Sequence, residues 1–231
     1  MVLSLTACLC IHGFTGAPNE VEPLAEFLGE NTDWECAVPV LPGHGELLQL
    51  RGVPFNEWIS CAERALEDLL KRHKEVYVIG FSMGGMIASY LAAHYPVKKL
   101  VLLSAAAYYI NPRQLGADII SMCKDLYSGK LLQNELFNRY SYKIKTTPIS
   151  ATIQFRKLVR HIKPLLETIT IPTFIAQGES DGIVPLKSAE YLYETIKARK
   201  KKIMYMKDSK HLICHCKEKQ VLFSEILSFL S

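Results

Sequence analysis

Two kinds of apolar run alternate along the chain. Short stretches are apolar at nearly every position: Val2–Ile11, Glu35–Val40, Val76–Ile79, Val97–Leu103, Thr173–Gln177 and Ile203–Met206. Runs of this length, rich in β-branched residues and closed by Gly, Pro or charge, predict strands buried on both faces. Between them the spacing turns helical. The clearest case is 55–71, where Phe55, Trp58, Ile59, Ala62, Ala65, Leu66, Leu69 and Leu70 form one stripe. Glu57, Glu63, Arg64, Glu67 and Lys71 take the opposite face, the signature of a helix half sunk in a core. Pro18–Leu28, Lys187–Lys197 and Lys217–Leu230 also predict helices, and Pro23 is tolerated near the start of the first. Met83–His94 is apolar nearly all round, which predicts a buried helix. Strands of this kind alternating with helices imply an α/β fold, a mostly parallel sheet flanked by helices on both faces.

The alternation stops over 105–168. That stretch is helical-looking but irregular, punctuated by Pro112, Gly129, Pro148 and Pro164. It is too long for a simple connection, so it is expected to be a lid or cap inserted into a single domain spanning 1–231. It carries ten Lys/Arg and four Asp/Glu, +6 within a chain whose net charge is +4. The plain expectation is an amphipathic cap with solvated charges. A sharper one is a cationic rim that draws in anionic esters or makes weak contact with a lipid surface.

Composition narrows the classes. Hydrophobic residues make up 49% and charged residues 22%, which excludes a disordered or fibrous chain. No apolar run reaches the ~18 residues that a membrane span needs, so no stable membrane insertion is expected. The net charge is too small to argue for nucleic acid. Seven cysteines without regular spacing, several inside apolar runs, suggest buried thiols in a reducing, cytoplasmic setting. Leu5-Thr6-Ala7-Cys8 looks like a lipoprotein cleavage box, but the residues before it supply neither a basic segment nor an apolar core for export. Arg199–Lys202 reads as a solvated turn.

Gly80-Phe81-Ser82-Met83-Gly84 fits G-x-S-x-G between a predicted strand and a predicted helix. A serine on such a turn is held in strain with its hydroxyl exposed, as a nucleophile requires. The hydroxyl needs a base, and the base an orienting carboxylate. Asp181 follows the strand at 173–177, and His211 follows the last strand. The order Ser82, Asp181, His211 is that of α/β-hydrolases, and each residue lies just past a strand's C-terminal end, where open parallel sheets place their sites. Glu179 and Asp208 are alternatives to Asp181, and His215 is the alternative to His211. His211, Cys214, His215 and Cys216 could be read as metal ligands, but they lack the glutamate and the ligand pairs of known zinc motifs, so no metal is expected.

Together these residues resemble the α/β-hydrolase superfamily, and most closely its small carboxylesterase and monoacylglycerol-lipase-like branch. The resemblance rests on His12-Gly13-Phe14-Thr15-Gly16, Pro42-Gly43-His44-Gly45, the serine turn, Gln177-Gly178 with Asp181 and Val184-Pro185, and His211. It implies a cofactor-free serine hydrolase acting on short- to medium-chain acyl esters or monoacylglycerols. Ser82 would be the nucleophile, His211 the general base and then acid, and Asp181 the orienter. The backbone N–H groups of Phe14 and Met83 would form the oxyanion hole. Two departures stand out. Lys210 occupies a position where the family commonly has glycine, and the chain enters at what would be the third strand, so the leading strands of the full fold are expected to be missing. The same triad also serves C–C hydrolases, perhydrolases and lyases, and a hydrolase-like ligand sensor is a further alternative.

Overall fold

The computed structural model describes residues 5–109 and 148–231. Six strands form one sheet: β1 (Thr6–Ile11), β2 (Glu35–Ala37), β3 (Glu75–Phe81), β4 (Lys99–Leu103), β5 (Thr173–Gly178) and β6 (Lys201–Met206). Their spatial order is β2-β1-β3-β4-β5-β6, and every neighbouring pair is parallel. Parallel strands need crossovers, and helices lie in all five: α1 (Glu22–Asn31), α2 (Phe55–Arg72), α3 (Met83–His94), α4 (Ile149–Ile162) and α5 (Leu186–Thr195), while α6 (Lys219–Leu230) follows the last strand.

The continuous apolar runs divide with a period of two between the faces of the sheet. Ala7, Leu9, Ile11, Val76, Val78, Leu100 and Leu102 join the larger core beneath α2, α3, α4 and α5. Cys8, Cys10, Tyr77, Ile79, Phe81, Val101 and Leu103 join a second core beneath α1 and α6. Both faces of each central strand are therefore desolvated, which is why these runs are apolar at nearly every position. α3 runs through the larger core, and its residues from Met83 to Ser89 are all buried.

The structure differs from the sequence reading at four places. β2 stops at Ala37 rather than Val40, because Pro39 has no N–H to give the ladder. The first helix is a 3-10 turn, Pro18–Glu20, followed by α1 starting at Glu22. The basic run 199–202 is only partly a turn. Lys201 and Lys202 begin the edge strand β6, where Lys201 Nζ donates to the carbonyl of Ile196 at 2.9 Å and Lys202 pairs with Glu225. Charged edge strands of this kind resist pairing with other chains. The fourth difference concerns the cap. Ala105, Ala106 and Ala107 are buried, and α4 buries Ala151, Phe155, Leu158, Val159 and Ile162 in the larger core. The two ends of the 105–168 stretch thus belong to the body of the fold. The expected cap rests on 110–147, which lies outside the described residues, as do six of the ten basic positions.

Candidate active site

Because β2 and β3 lie on opposite sides of β1, the chain reverses direction across the sheet between β1 and β3. A crevice opens at the C-terminal ends of strands at such a point. The His12–Gly16 segment leaves β1 there, and Ser82 leaves β3 beside it.

Ser82 is the single residue between β3 and α3, at φ 53° and ψ −115°. A non-glycine residue in this region stores about 1–3 kcal/mol of strain, which the surroundings must hold. They do so through three bonds. The Ser82 amide donates to Leu103 O at 2.9 Å, and its carbonyl accepts from the amides of Gly85 and Ala106, each at 3.1 Å. The turn is tight enough that a Cβ on Gly80 would lie 2.2 Å from Gly84 O, and one on Gly84 2.2 Å from Ile11 O. Glycine is thus required on both sides of the serine.

His211 stands over this turn. Ser82 Oγ donates to its Nε2 at 3.0 Å, and its Nδ1–H donates to Asp181 Oδ2 at 2.7 Å. Both bonds are buried, with the three residues 8–9% exposed. Asp181 in turn is fixed from three sides. Oδ2 also accepts from Gln177 Nε2 at 2.9 Å, and Oδ1 accepts the amides of Ile183 and Val184 at 2.8 and 3.0 Å. The carboxylate cannot rotate away from the imidazole without breaking several bonds. The Phe81 ring lies 4.9 Å from the His211 ring and fixes its other face.

The neighbouring β1 loop closes the site. A Cβ on Gly13 would lie 3.2 Å from Ser82 Cβ, so the loop backs directly onto the serine. Among the described residues, no hydrogen-bond acceptor is paired with the amides of Phe14 or Met83. The Phe14 ring stacks on Phe155 at 5.1 Å and 10°, and Phe155 meets Tyr109 at 4.6 Å, giving an aromatic wall beside the loop. His12 is saturated: Nδ1–H donates to Gly13 O and Nε2 accepts from Leu41 N at 3.1 Å. Burial lowers its pKa, and burial together with His12 lowers that of His44 to about 4.

The competing assignments fall elsewhere. Glu179 and Asp208 are exposed, and His215 Nε2 donates to Asn19 O at 2.7 Å, away from the serine. Lys210 points its exposed side chain outward, so the departure from glycine leaves the relay intact. Cys214 is buried, which pushes its thiol to about 12. Gln177 was legible only as part of a motif. Its bond to Asp181 has no signature in spacing, and a polar residue at the end of an otherwise apolar strand was the one available signal.

A hydroxyl bonded to a neutral imidazole, itself held by a buried carboxylate, can lose its proton while attacking a carbonyl carbon. Residues 5–219 match the family described as serine aminopeptidase, S33. The chain belongs to that family of α/β-hydrolases, and is a serine hydrolase. It is 27% identical over 227 residues to a thermostable monoacylglycerol lipase of a Bacillus species, covering 96% of this chain and 89% of the relative. It is 23% identical to a carboxylesterase of Bacillus subtilis, covering 97% and 92%. Among solved structures, one described with the metagenome-derived lipolytic enzymes LipS and LipT superposes with a TM-score of 0.80 at 20% identity, covering 99% and 94% of the two chains.

Proposed function

We propose that this hydrolase cleaves carboxylic esters, with short- to medium-chain acyl esters or monoacylglycerols as the substrate class, through an acyl-Ser82 intermediate. The observation that carries the reading is the relay Ser82 Oγ–His211–Asp181, set beside two amides that have no acceptor among the described residues. The names of the monoacylglycerol lipase and carboxylesterase relatives support ester over other acyl bonds.

Each step has its group. Ser82 Oγ attacks the acyl carbon as its proton passes to His211 Nε2. The carbonyl oxygen becomes an oxyanion and is met by the N–H groups of Phe14 and Met83. Removing one such donor typically costs about 3–4 kcal/mol of transition-state stabilisation. The C–O bond to the alcohol then breaks, and His211 gives its proton to the leaving oxygen. Water repeats the sequence on the acyl-enzyme, releasing the acid and restoring Ser82. Asp181 holds His211 in the tautomer that presents a lone pair at Nε2, and steadies the imidazolium while it lasts. The aromatic wall of Phe14, Phe155 and Tyr109 offers the acyl chain an apolar surface.

Hydrolysis of p-nitrophenyl esters from acetate to palmitate, and of monoacylglycerols, by wild type and Ser82→Ala tests the reading. Turnover abolished in the variant is expected, with the fold intact because only a hydroxyl is lost. Equal rates in the two proteins, or no hydrolysis of any ester, would refute it.

A further inference from the structure

Glu20 ends the 3-10 turn that follows the β1 loop, and its carboxylate folds back onto that loop. Oε2 accepts the Gly13 amide hydrogen at 2.8 Å. The same oxygen lies so close to Gly16 that a Cβ there would come within 2.1 Å of it. The carboxylate thus fills the inside of the bend that Gly16 N closes on Gly13 O at 3.3 Å. Between these two glycines Thr15 is held at φ 59°, a conformation a β-branched residue keeps only when its surroundings impose it. The Phe14 amide, the next after Gly13, has no acceptor among the described residues.

The turn carrying Glu20 is itself anchored. His215 Nε2–H donates to the carbonyl of Asn19, and His215 closes the 3-10 turn that begins two residues after His211. A continuous path therefore runs from the loop of His211 through His215, Asn19 and Glu20 to Gly13 and Phe14. It joins the segment that holds the base to the segment that would hold the oxyanion.

We propose that Glu20 is a positioning residue for ester hydrolysis. Its carboxylate pins Gly13 by its N–H, so that the next amide along the chain, the Phe14 N–H, stays aimed at the oxyanion formed beside Ser82, and His215 anchors the turn from which it acts. This rests on the reading of Phe14 as an oxyanion donor. A misplacement of about 1 Å at such a donor is enough to lower turnover by as much as 10²-fold, and it acts on the transition state rather than on substrate binding.

The test compares wild type, Glu20→Ala, Glu20→Gln and His215→Ala, with active sites counted by fluorophosphonate labelling. It reads kcat and KM on p-nitrophenyl butyrate, and inhibition by an alkylboronic acid, whose boron takes up Ser82 Oγ to form a tetrahedral anion. Glu20→Ala is expected to lower kcat at least about tenfold, to leave KM within about threefold, and to weaken the boronate in parallel with kcat. Glu20→Gln keeps a carbonyl acceptor for Gly13 N–H and should recover most of the loss. His215→Ala should shift kcat in the same direction by less. Unchanged kcat per labelled site in Glu20→Ala, even with a lower melting temperature, would overturn the proposal, as would Gln performing no better than Ala. Wild type that neither labels nor hydrolyses the ester is a separate outcome, and it overturns the ester-hydrolase reading on which the proposal stands.

Discussion

Ser82 occupies a backbone conformation that serine adopts only under constraint, and the constraint is built from neighbours with no chemistry of their own. Gly80 and Gly84 provide space that any side chain would fill, and the Leu103 carbonyl and the Gly85 and Ala106 amides clamp the turn. Gly84→Ala would drive a methyl group into the backbone of Ile11, so it is expected to cost about 1–3 kcal/mol of stability in urea unfolding and to impair turnover together with it. Asp181→Asn makes a sharper test. Oδ1 can still accept the Ile183 and Val184 amides, so the loop should hold, while an amide group facing Nδ1 favours the wrong imidazole tautomer. A fall in kcat on the order of 10³–10⁴ with an unchanged circular dichroism spectrum is expected. Activity within tenfold of wild type would remove Asp181 from the relay. At this scale the sequence was largely readable for Ser82, Asp181 and His211, because each follows a strand end and the chain order restricts the choice. It was silent on Glu20, whose bond to Gly13 depends on how the chain doubles back after Gly16 rather than on any spacing.

At the scale of elements, the doubly buried strands announced themselves because two cores demand apolar residues at consecutive positions. β6 was harder to delimit, since its first two residues are lysines and only its edge position makes them tolerable. α4 shows a different difficulty. Its buried residues 151, 155, 158, 159 and 162 follow helical spacing, yet the irregular stretch before it invited a reading of the whole of 105–168 as a cap. Leu158→Ala separates the two readings. As part of the larger core, where Leu158 is fully buried, the change should cost about 2–5 kcal/mol in urea unfolding. A residue in a loosely attached cap would lose well under 1 kcal/mol, and such a result would contradict the packing described for α4.

For the whole molecule, His12 and His44 link folding to pH. Their rings lie 5.2 Å apart, His12 is fully buried and His44 nearly so, and both are held below the ordinary histidine value. Between pH ~6.5 and about 4 the unfolded chain therefore binds more protons at His44 than the folded one does. The contribution is fully present above pH ~6.5 and is lost as pH falls towards 4, by roughly 3 kcal/mol at most for His44, with His12 acting in the same direction. Urea midpoints at pH 7 and pH 4.5 should differ more for wild type than for His44→Gln, and an equal drop in both would count against the buried pair as the cause.

The account stands or falls on Ser82 as the group that carries the acyl chain. The most direct measurement is acid quenching during turnover of a slowly deacylating ester, followed by mass spectrometry of the digested protein. An added acyl mass on the peptide containing Ser82, absent from Ser82→Ala, is the predicted result. An acyl group on any other residue, or turnover that persists in Ser82→Ala, would contradict it.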